Sequence, residues 1–302
     1  FELDTVYRQN DDWARAATVQ FQRGLVAEAM TAYKDHGGIV ETKDRGDAVA
    51  KLVADFLEAS ATAPLHTMLA LAHRNDDILA INTAIQDRRR VDGKLGEPVT
   101  IETRGGTRSF AAGDRIILLK NEKLAGEAVA NSELGTVAMI DTTGPSPVFS
   151  VALDDGRTVT IDANTYRDFD LGYATTVHKA QGATVDRTFV LASTSMDKYL
   201  AYVAASRHRV AFKLYVPNSD FDSFGKLVWT FSRADQKETT LDYRPAYAEA
   251  RGITGKSIVP LDLLHLVSEG RAAIAALREQ LTALFAAVCK SAIAPVSPLR
   301  PD

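Results

Sequence analysis

The chain has 302 residues, a formal net charge of −4 and 46% hydrophobic residues, values typical of a soluble globular protein with about two domains. A single cysteine, Cys289, excludes an internal disulfide framework and suits a reducing compartment, so we expect a cytoplasmic protein. No stretch approaches the roughly 20 consecutive apolar residues that cross a bilayer. The net charge argues against a generic basic protein that coats nucleic acid, but a local basic groove remains compatible with it. The chain begins at Phe1 rather than Met, which suggests a fragment or a processed piece.

The N-terminal part alternates like a strand and then becomes helical. Strand-like alternation covers Phe1–Gln9 and includes Arg8 near its end. Capping residues and glycine stops predict helices over about residues 12–23 and 25–35. A third helix, about residues 45–59, is indicated by one apolar stripe made of Val49, Leu52, Val53, Phe56 and Leu57.

A continuous apolar run then predicts a buried strand. Thr67–Ala72 has the length and composition of such a strand, and the polar loop 73–77 follows it. The next helix ends in Arg88–Arg90, where cations complement the helix dipole. Strand, polar loop and helix in this order indicate an α/β sheet.

Residues 96–169 have a different character. Short segments of period 2 are separated by Gly, Asp and Pro, and Asp155-Gly156 is a hairpin signal. About five short strands in about 70 residues predict a small antiparallel barrel. Because the α/β pattern resumes at Gly172, the barrel is expected to be inserted into the α/β domain.

Residues 172–216 predict a βαβ unit. Two apolar runs, Phe189–Ala192 and Phe212–Val216, are separated by one helix-length segment. Polar clusters at Thr175–Gly182 and Ser206–Arg209 flank these runs. Loops at the ends of a rigid sheet are where function is usually found.

The C-terminal region is expected to be mostly helical. Its last helix has an apolar seam, read as a packing helix or a partner-binding helix, made of Ile274, Leu277, Leu281, Leu284 and Val288. The tail after Ala294 is expected to be disordered. Gly252–Ser257 ends like a phosphate-binding loop, but Ala250 stands where the first glycine of that motif is required.

Several kinds of site are absent from the sequence. The histidines are scattered, one cysteine gives no zinc spacing, and no nucleophile elbow or complete phosphate loop occurs. What remains is a set of arginines and polar residues near strand ends. Arginine suits phosphate because its planar guanidinium is permanently charged and can bind two oxygens. This set comprises Arg8, Arg74, Thr175–Gly182, Arg207 and Arg209.

Three segments carry a specific resemblance. Gly172–Gly182 resembles motif V of superfamily 1 DNA helicases of the RecD-like branch, and Tyr202–Arg209 resembles their motif VI. Leu3–Gln9 resembles motif IV. The similarity extends over roughly residues 1–255 and is strongest to the helicase part of TraA-type conjugative relaxases.

The resemblance implies a fold and a domain division. It implies an α/β, RecA-like second motor domain with a parallel sheet, interrupted by an SH3-like β-barrel and followed by a helical C-terminal extension. The expected division is 1–95 with 170–217 for the motor domain, 96–169 for the barrel and 218–302 for the extension.

The resemblance also implies ligands. ATP and Mg²⁺ would lie between this domain and a first motor domain, with Arg8 and Arg207 as arginine fingers. Gln181 and Gly182 would couple nucleotide to DNA. In many relatives a carboxylate two residues after the glycine contacts the ribose, but this position is Thr184 here, so ribose recognition stays open. Single-stranded DNA would contact a further set: Thr176, His178 and Lys179, with Arg74 and Asn82 as weaker candidates.

Other interpretations remain open. His178 could be a core histidine, Arg209 a helix C-terminal charge, and Arg88–Arg90 a solvated face. Because the phosphate loop and the Mg²⁺ carboxylates are missing, the chain alone is expected not to hydrolyse ATP. It would be half of a helicase with motor and relaxase domains in cis and conjugation proteins as further partners. The alternative is a truncated, non-catalytic DNA- or protein-docking module; a generic phosphohydrolase is disfavoured.

Overall fold

The computed structural model describes residues 8–234. The chain divides into two units, Phe1–Asp235 and Gln236–Asp302, and all described residues belong to the first. Four sequence predictions lie outside the described residues: most of the motif IV strand, the glycine-rich segment 252–257, the last helix and the disordered tail.

Helices and strands alternate at both ends of the described range, and strands alone fill its middle. The six α-helices within residues 8–234 are α1 Asp12–Gln22, α2 Val26–Asp35, α3 Arg45–Ser60, α4 Asn75–Val91, α5 Lys198–Ala205 and α6 Phe224–Ser232. The strands of the same range are β1 Ile39–Thr42, β2 Met68–Ala72, β3 Val99–Thr103, β4 Gly106–Phe110, β5 Arg115–Leu118, β6 Glu122–Leu124, β7 Glu127–Val129, β8 Leu134–Asp141, β9 Val148–Leu153, β10 Thr158–Asp162, β11 Phe169–Leu171, β12 Ala174–Thr176, β13 Val185–Leu191 and β14 His208–Pro217.

The first sheet is parallel throughout, with strand order β1-β14-β13-β2-β12. Every residue of β2 is buried, as its unbroken apolar sequence predicts for a strand covered on both faces. Helices α3 and α4 pack on one side and α1, α2, α5 and α6 on the other. Helix α5 makes the crossover between the adjacent strands β13 and β14, so the predicted βαβ unit is confirmed.

Local sequence explains the ends of these helices. The Asp44 side chain accepts a hydrogen bond from the backbone N–H of Asp47 and caps α3. Asp197 caps α5 in the same way through the N–H of Leu200. Such caps satisfy backbone donors that have no partner inside the helix. The apolar stripe predicted for α3 faces the core, where Leu52 and Phe56 are buried.

An antiparallel region lies between α4 and β12. Its main sheet has the order β10-β9-β8-β5-β11, and two hairpins, β3–β4 and β6–β7, accompany it. Three phenylalanines, Phe110, Phe149 and Phe169, pack ring against ring in its core, with centroids 5.0–5.8 Å apart. The antiparallel pairing agrees with the period-2 pattern of this region. The pairings leave β10 and β11 as edge strands, so closure into an SH3-like barrel stays a prediction.

A buried polar joint connects the antiparallel region to the parallel sheet. Asp114, which is fully buried, accepts hydrogen bonds of 2.7 Å from the Tyr173 hydroxyl, the Gln86 amide and the backbone N–H of Ala111. Gly172 lies beside this joint, where a Cβ would be only 2.6 Å from the backbone of Ile116. The two sheets therefore meet through hydrogen bonds and close backbone contact that only glycine permits.

Helix α6 belongs to this same unit. Its Leu227 and Phe231 are buried in the cluster that includes α2 and α5. The predicted C-terminal extension, which begins at residue 218, would therefore lose its first helix to the described unit; the division into domains stays a proposal. Among the described helices, none is long and apolar enough to cross a membrane.

Candidate nucleotide and nucleic-acid site

Two arginines that are distant in sequence lie together. The Arg8 guanidinium donates a hydrogen bond to the carbonyl oxygen of Ser206, the residue before Arg207. The chain around Arg8 is held there by its neighbours: the Gln9 amide donates to the His208 carbonyl at 3.2 Å, and the Asn10 N–H donates to the Arg209 carbonyl at 2.8 Å. Residues 8–10 thus run beside residues 206–209.

Arg207 is held in place almost entirely by neutral oxygens. It is 9% exposed, its Nε donates to the Val203 carbonyl at 2.9 Å, and its Nη2 donates to the Ser206 hydroxyl at 2.7 Å. Burial lowers the pKa of Arg207, and the nearby charge of Arg8 lowers it further. Neither arginine forms an ion pair with a carboxylate of residues 8–234. Two cations without a neutralising carboxylate favour an anion as ligand.

The segment 177–184 crosses the parallel sheet from the carboxyl ends of its strands to their amino ends. At its start, Val177 N–H donates to the Ala72 carbonyl at 3.1 Å, at the carboxyl end of β2. At its end, Val185 N–H donates to the Arg207 carbonyl at 3.1 Å, beside the amino end of β14. Val177 and Ala180 are buried against the sheet, so the segment is packed rather than loose.

The nucleotide-coupling candidates lie at the end of this segment that is next to Arg207. Gln181 and Gly182 are exposed, and Gly182 has a φ of +91°. That backbone conformation is unfavourable for residues with a Cβ, which explains the glycine. The next residue, Ala183, contributes a carbonyl oxygen 3.5 Å from Nη1 of Arg207. The structure therefore brings Gln181 and Gly182 near the arginine pair.

The DNA-contact candidates lie at the other end of the segment, next to the carboxyl end of β2. The Thr176 hydroxyl accepts a hydrogen bond from the Lys179 N–H at 3.1 Å, and this turn leaves the His178 and Lys179 side chains exposed. The His178 ring lies 6.0 Å from the ring of His73, which follows β2. His178 is thus not a core histidine.

Three further polar residues lie at this edge, and none of them was among the predicted site residues. The His73 ring lies within 3.3 Å of the Ser195 hydroxyl, and Ser195 is 2.8 Å from the hydroxyl of Ser193. These residues follow β2 and β13. The rule that selected Thr176 and Lys179, polar residues after the carboxyl ends of parallel strands, applies to them equally.

A cleft of about 310 Å³ lies between the parallel sheet and the antiparallel region. Thr176 and Lys179 line one side, and Arg108, paired with Asp170, lies on the other. Asn82 also borders the cleft, but it is buried and its amide is used by the backbone of Ala174, at 3.0 Å to the carbonyl and 2.8 Å to the N–H.

The structure therefore changes the interpretation of several candidates. Asn82 positions β12 through one N–H and the oxygen of its amide, and its DNA contact stays a prediction. Arg74 is exposed at the carboxyl end of β2, 3.7 Å from Asp76, and its DNA contact stays a prediction. Arg209 lies on a strand and pairs with Asp186 at 2.7 Å, so it is not a helix C-terminal charge.

The three arginines at the end of α4 do not form one solvated face. Arg88 is exposed and pairs with Asp92. Arg89 instead reaches the antiparallel region, where it donates to the Gly113 carbonyl at 3.4 Å and lies over the ring of Tyr173. The end of α4 therefore contributes to the joint around Asp114.

His208 belongs to the polar cluster Ser206–Arg209, but it was not among the predicted site residues. It is 1% exposed, and the centre of its ring lies 5.9 Å from that of Tyr33 and 5.8 Å from that of Phe212. Burial lowers the pKa of His208 to about 4, so the ring is neutral at physiological pH. Among residues 8–234, no group of three or more His, Cys, Asp or Glu side chains is placed to hold a metal ion.

Most of the chain is similar in sequence to known proteins. Residues 116–216 match the family of the viral superfamily 1 RNA helicase core domain. The conjugal transfer protein TraA of Agrobacterium fabrum is 39% identical over 83% of this chain, and TraA of Rhizobium radiobacter is 37% identical over the same share. The chain spans only 23% of the length of each of these relatives.

Solved structures show the same fold. A Bacteroides Pif1 helicase in complex with ADP-AlF3 and single-stranded DNA is 17% identical, with a TM-score of 0.50 over 82% of this chain and 57% of the helicase. Bacteroides Pif1 bound to single-stranded DNA gives the same TM-score at 16% identity, over 83% and 57% of the two chains. Residues 116–216 thus match a superfamily 1 helicase family, and most of this chain is similar in sequence to a part of TraA-type conjugal transfer proteins.

Proposed function

We propose that this chain is the second motor domain of an ATP-dependent DNA helicase or translocase that acts in conjugative transfer as part of a relaxase-helicase in the cytoplasm. The observation that carries the proposal is the packed segment 177–184. It is hydrogen-bonded to Ala72 at the edge with the DNA candidates and to Arg207 at the edge with the arginine pair. Such a segment can transmit a change at one edge to the other.

The arginine pair is the proposed nucleotide side. Arg8 and Arg207 would contact the γ-phosphate of ATP, with Gln181 and Gly182 beside it, while a first motor domain would hold ATP and Mg²⁺. The pair fits a phosphate because both guanidinium groups lack a carboxylate partner within residues 8–234. Arginines of this kind stabilise the charge that develops on the transferred phosphoryl group.

The carboxyl edge of the sheet is the proposed DNA side. Thr176, His178 and Lys179 present a hydroxyl, a ring N–H and an ammonium group, which are donors that suit a phosphate backbone. Arg74 adds a second cation at the same edge. We assign single-stranded DNA as ligand because Thr176 and Lys179 line a cleft with these side-chain donors.

The remaining assignments follow from the resemblance. Residues 96–169 would form an SH3-like barrel inserted into the motor domain, 1–95 and 170–217, and 218–302 would be an extension. The partners in cis would be a first motor domain and a relaxase domain. The full-length relatives exceed this chain about fourfold in length, which leaves room for such domains.

The arginine assignment is tested in a protein that contains both motor domains. Arg207→Ala and Arg8→Ala should each lower DNA-stimulated ATP hydrolysis by about 10³-fold, the lower end of what an arginine finger contributes. The matched control is Arg209→Ala, which removes a neighbouring arginine whose partner is Asp186. Full activity of the Arg207→Ala protein would refute the assignment.

A second experiment separates the motor from a docking module. The affinity of the protein with both motor domains for single-stranded DNA is measured with and without a non-hydrolysable ATP analogue and at several salt concentrations. A motor should bind DNA in a nucleotide-dependent way, since the segment 177–184 connects the two sides. Salt-sensitive binding that ignores the nucleotide would instead support the docking module.

A further inference from the structure

Helix α6 exposes a tryptophan beside an arginine. Leu227 and Phe231 of α6 are buried, whereas Trp229 is 65% exposed on the outer face. The guanidinium of Arg233 lies 5.6 Å from the centre of the Trp229 ring. Large aromatic side chains are usually buried, so an indole held outward next to a cation is a feature to explain.

Arg233 is fixed by the loop that follows β13. Its Nη2 donates to the Thr194 carbonyl and, at 3.2 Å, to the Met196 carbonyl. The Lys198 N–H in turn donates to the Arg233 carbonyl at 3.0 Å. These bonds use neutral oxygens only, so the charge of Arg233 is not neutralised by them.

The same loop reaches the proposed DNA edge. Ser195 lies between Thr194 and Met196 in sequence, and its hydroxyl contacts the ring of His73 at 3.3 Å. His73 in turn lies beside His178. A line of polar groups therefore runs from His178 across the ends of β2 and β13 to the Arg233 side chain.

Charge along this line is mostly positive. Lys179, Arg74, Lys198 and Arg233 contribute cations, whereas the carboxylate of Asp197 is occupied by capping α5. The line therefore contains two carboxylates, Asp197, which keeps its charge, and Asp76, which faces Arg74 at 3.7 Å. A strip of cations ending at an exposed aromatic ring is complementary to a nucleic-acid strand, which offers phosphates and flat bases in turn.

We propose that Trp229 and Arg233 form a second contact point for single-stranded DNA, in which a base stacks on the indole and a phosphate lies at the guanidinium. The strand would continue to this point from the turn at Thr176–Lys179, past His73 and Ser195. This inference rests on the proposed function, because it extends the same DNA path. It predicts that the footprint of the strand is longer than the turn alone can contact.

The chain provides its own reporter for this contact. It has two tryptophans, Trp13 and Trp229. Trp13 stacks on His36 within the fold, and Trp13→Phe keeps an aromatic ring there. In that variant of the 302-residue chain, fluorescence comes from Trp229 alone. Addition of oligothymidylate of about 15 nucleotides should quench it, whereas one of about 5 nucleotides should bind at the turn with little quenching.

Affinity measurements complete the test. By fluorescence anisotropy with a labelled oligonucleotide, Trp229→Ala and Arg233→Ala should weaken binding of the long strand by roughly 10-fold, within the range for losing one stacked base, and leave the short strand unchanged. Met139→Ala is the control for an exposed apolar side chain on the antiparallel region, and Arg209→Ala is the control for a lost cation.

The outcomes separate this inference from the function on which it rests. Unchanged affinity of both variants together with unquenched Trp229, while both strands still bind, would overturn the second contact point and leave the DNA side intact. If neither the long nor the short strand binds, both proposals are overturned. Quenching that saturates with the long strand, and is lost when Arg233 is replaced, would support the contact.

Discussion

The backbone N–H of Val185 donates a hydrogen bond to the carbonyl oxygen of Arg207, across 22 positions of sequence, at 3.1 Å. This bond ties the end of the segment 177–184 to the residue before β14. Because the segment is also bonded to Ala72 at its other end, its length is fixed between two edges of one sheet. A movement of Arg207 should therefore either be opposed by this segment or move the turn at Thr176–Lys179.

Gly182 should be sensitive in this segment for a conformational reason. Its φ is +91° and a Cβ there would meet no atom within 4 Å, so Gly182→Ala introduces backbone strain and no clash. We expect a loss of unfolding free energy of about 1 kcal/mol, measured by urea denaturation. In a protein with both motor domains, the variant should also lower the ratio of DNA-stimulated to basal ATP hydrolysis.

The matched control is Gly24→Ala. Gly24 has a φ of +79° between α1 and α2 and is equally free of neighbours. It should lose a similar amount of stability while it keeps the stimulation ratio. Equal stimulation in the Gly182→Ala protein would argue against a coupling role for the segment.

His208 should make stability fall in acid. Its folded-state pKa of about 4 lies below the ordinary value of 6.5, so the unfolded chain binds the extra proton first as pH falls. The contribution is fully present above pH 6.5 and is lost between about 6.5 and about 4, with a total of about 3 kcal/mol.

The measurement is the pH dependence of urea unfolding for the native protein and for His208→Gln, which does not titrate. The native protein should have the steeper decline in this interval, because carboxylates contribute equally to both proteins. Parallel curves for the two proteins would show that His208 is accessible to protonation in the folded state.

The sequence predicts more of this fold than of its contacts. Apolar runs such as Met68–Ala72 and the helix stripe of α3 carry their own periodicity, so strands, helices and the βαβ unit follow from local patterns. Strand β1, Ile39–Thr42, was missed because four residues at a sheet edge give little pattern and its pairing with β14 depends on residues far along the chain.

The same limit applies to the candidate site. Arg207 and Thr176 could be selected as candidates because arginine and hydroxyl groups next to a strand are visible in the local sequence. The contact of His73 with Ser195 joins residues 122 positions apart and depends on which strands are neighbours. The role of Asn82 in the fold was hidden for a related reason: its place one turn into α4 did not reveal that its amide bonds the backbone of Ala174.

Tyr173→Phe should weaken the joint between the two sheets. The Tyr173 hydroxyl donates to Asp114, whose pKa burial already raises and this hydrogen bond lowers. Losing a donor to a buried carboxylate should reduce the unfolding free energy by about 1.5–3 kcal/mol and raise the pKa of Asp114 further. Urea denaturation measures the first effect.

Tyr166→Phe is the control for this change. The Tyr166 hydroxyl donates to a neutral acceptor, the Lys120 carbonyl, at 3.1 Å. Its loss should reduce the unfolding free energy by only about 0.5–1.5 kcal/mol. If both variants lose the same amount, Asp114 is neutral in the folded protein and the joint contains no charged hydrogen bond.

Lys179→Ala should change DNA affinity without changing stability, whereas Asn82→Ala should change stability. Lys179 is exposed and ends in a flexible ammonium group, so its replacement should leave stability unchanged and weaken single-strand binding. It should also reduce the slope of log affinity against log salt by about 0.7, the value for one phosphate contact on single strands. Asn82→Ala removes two hydrogen bonds to Ala174 and should lower the unfolding free energy by about 2 kcal/mol, with an unchanged salt slope. Weakened single-strand binding by Asn82→Ala in the folded protein would identify Asn82 as a DNA contact, because a residue that only positions β12 should leave the affinity of the folded protein unchanged.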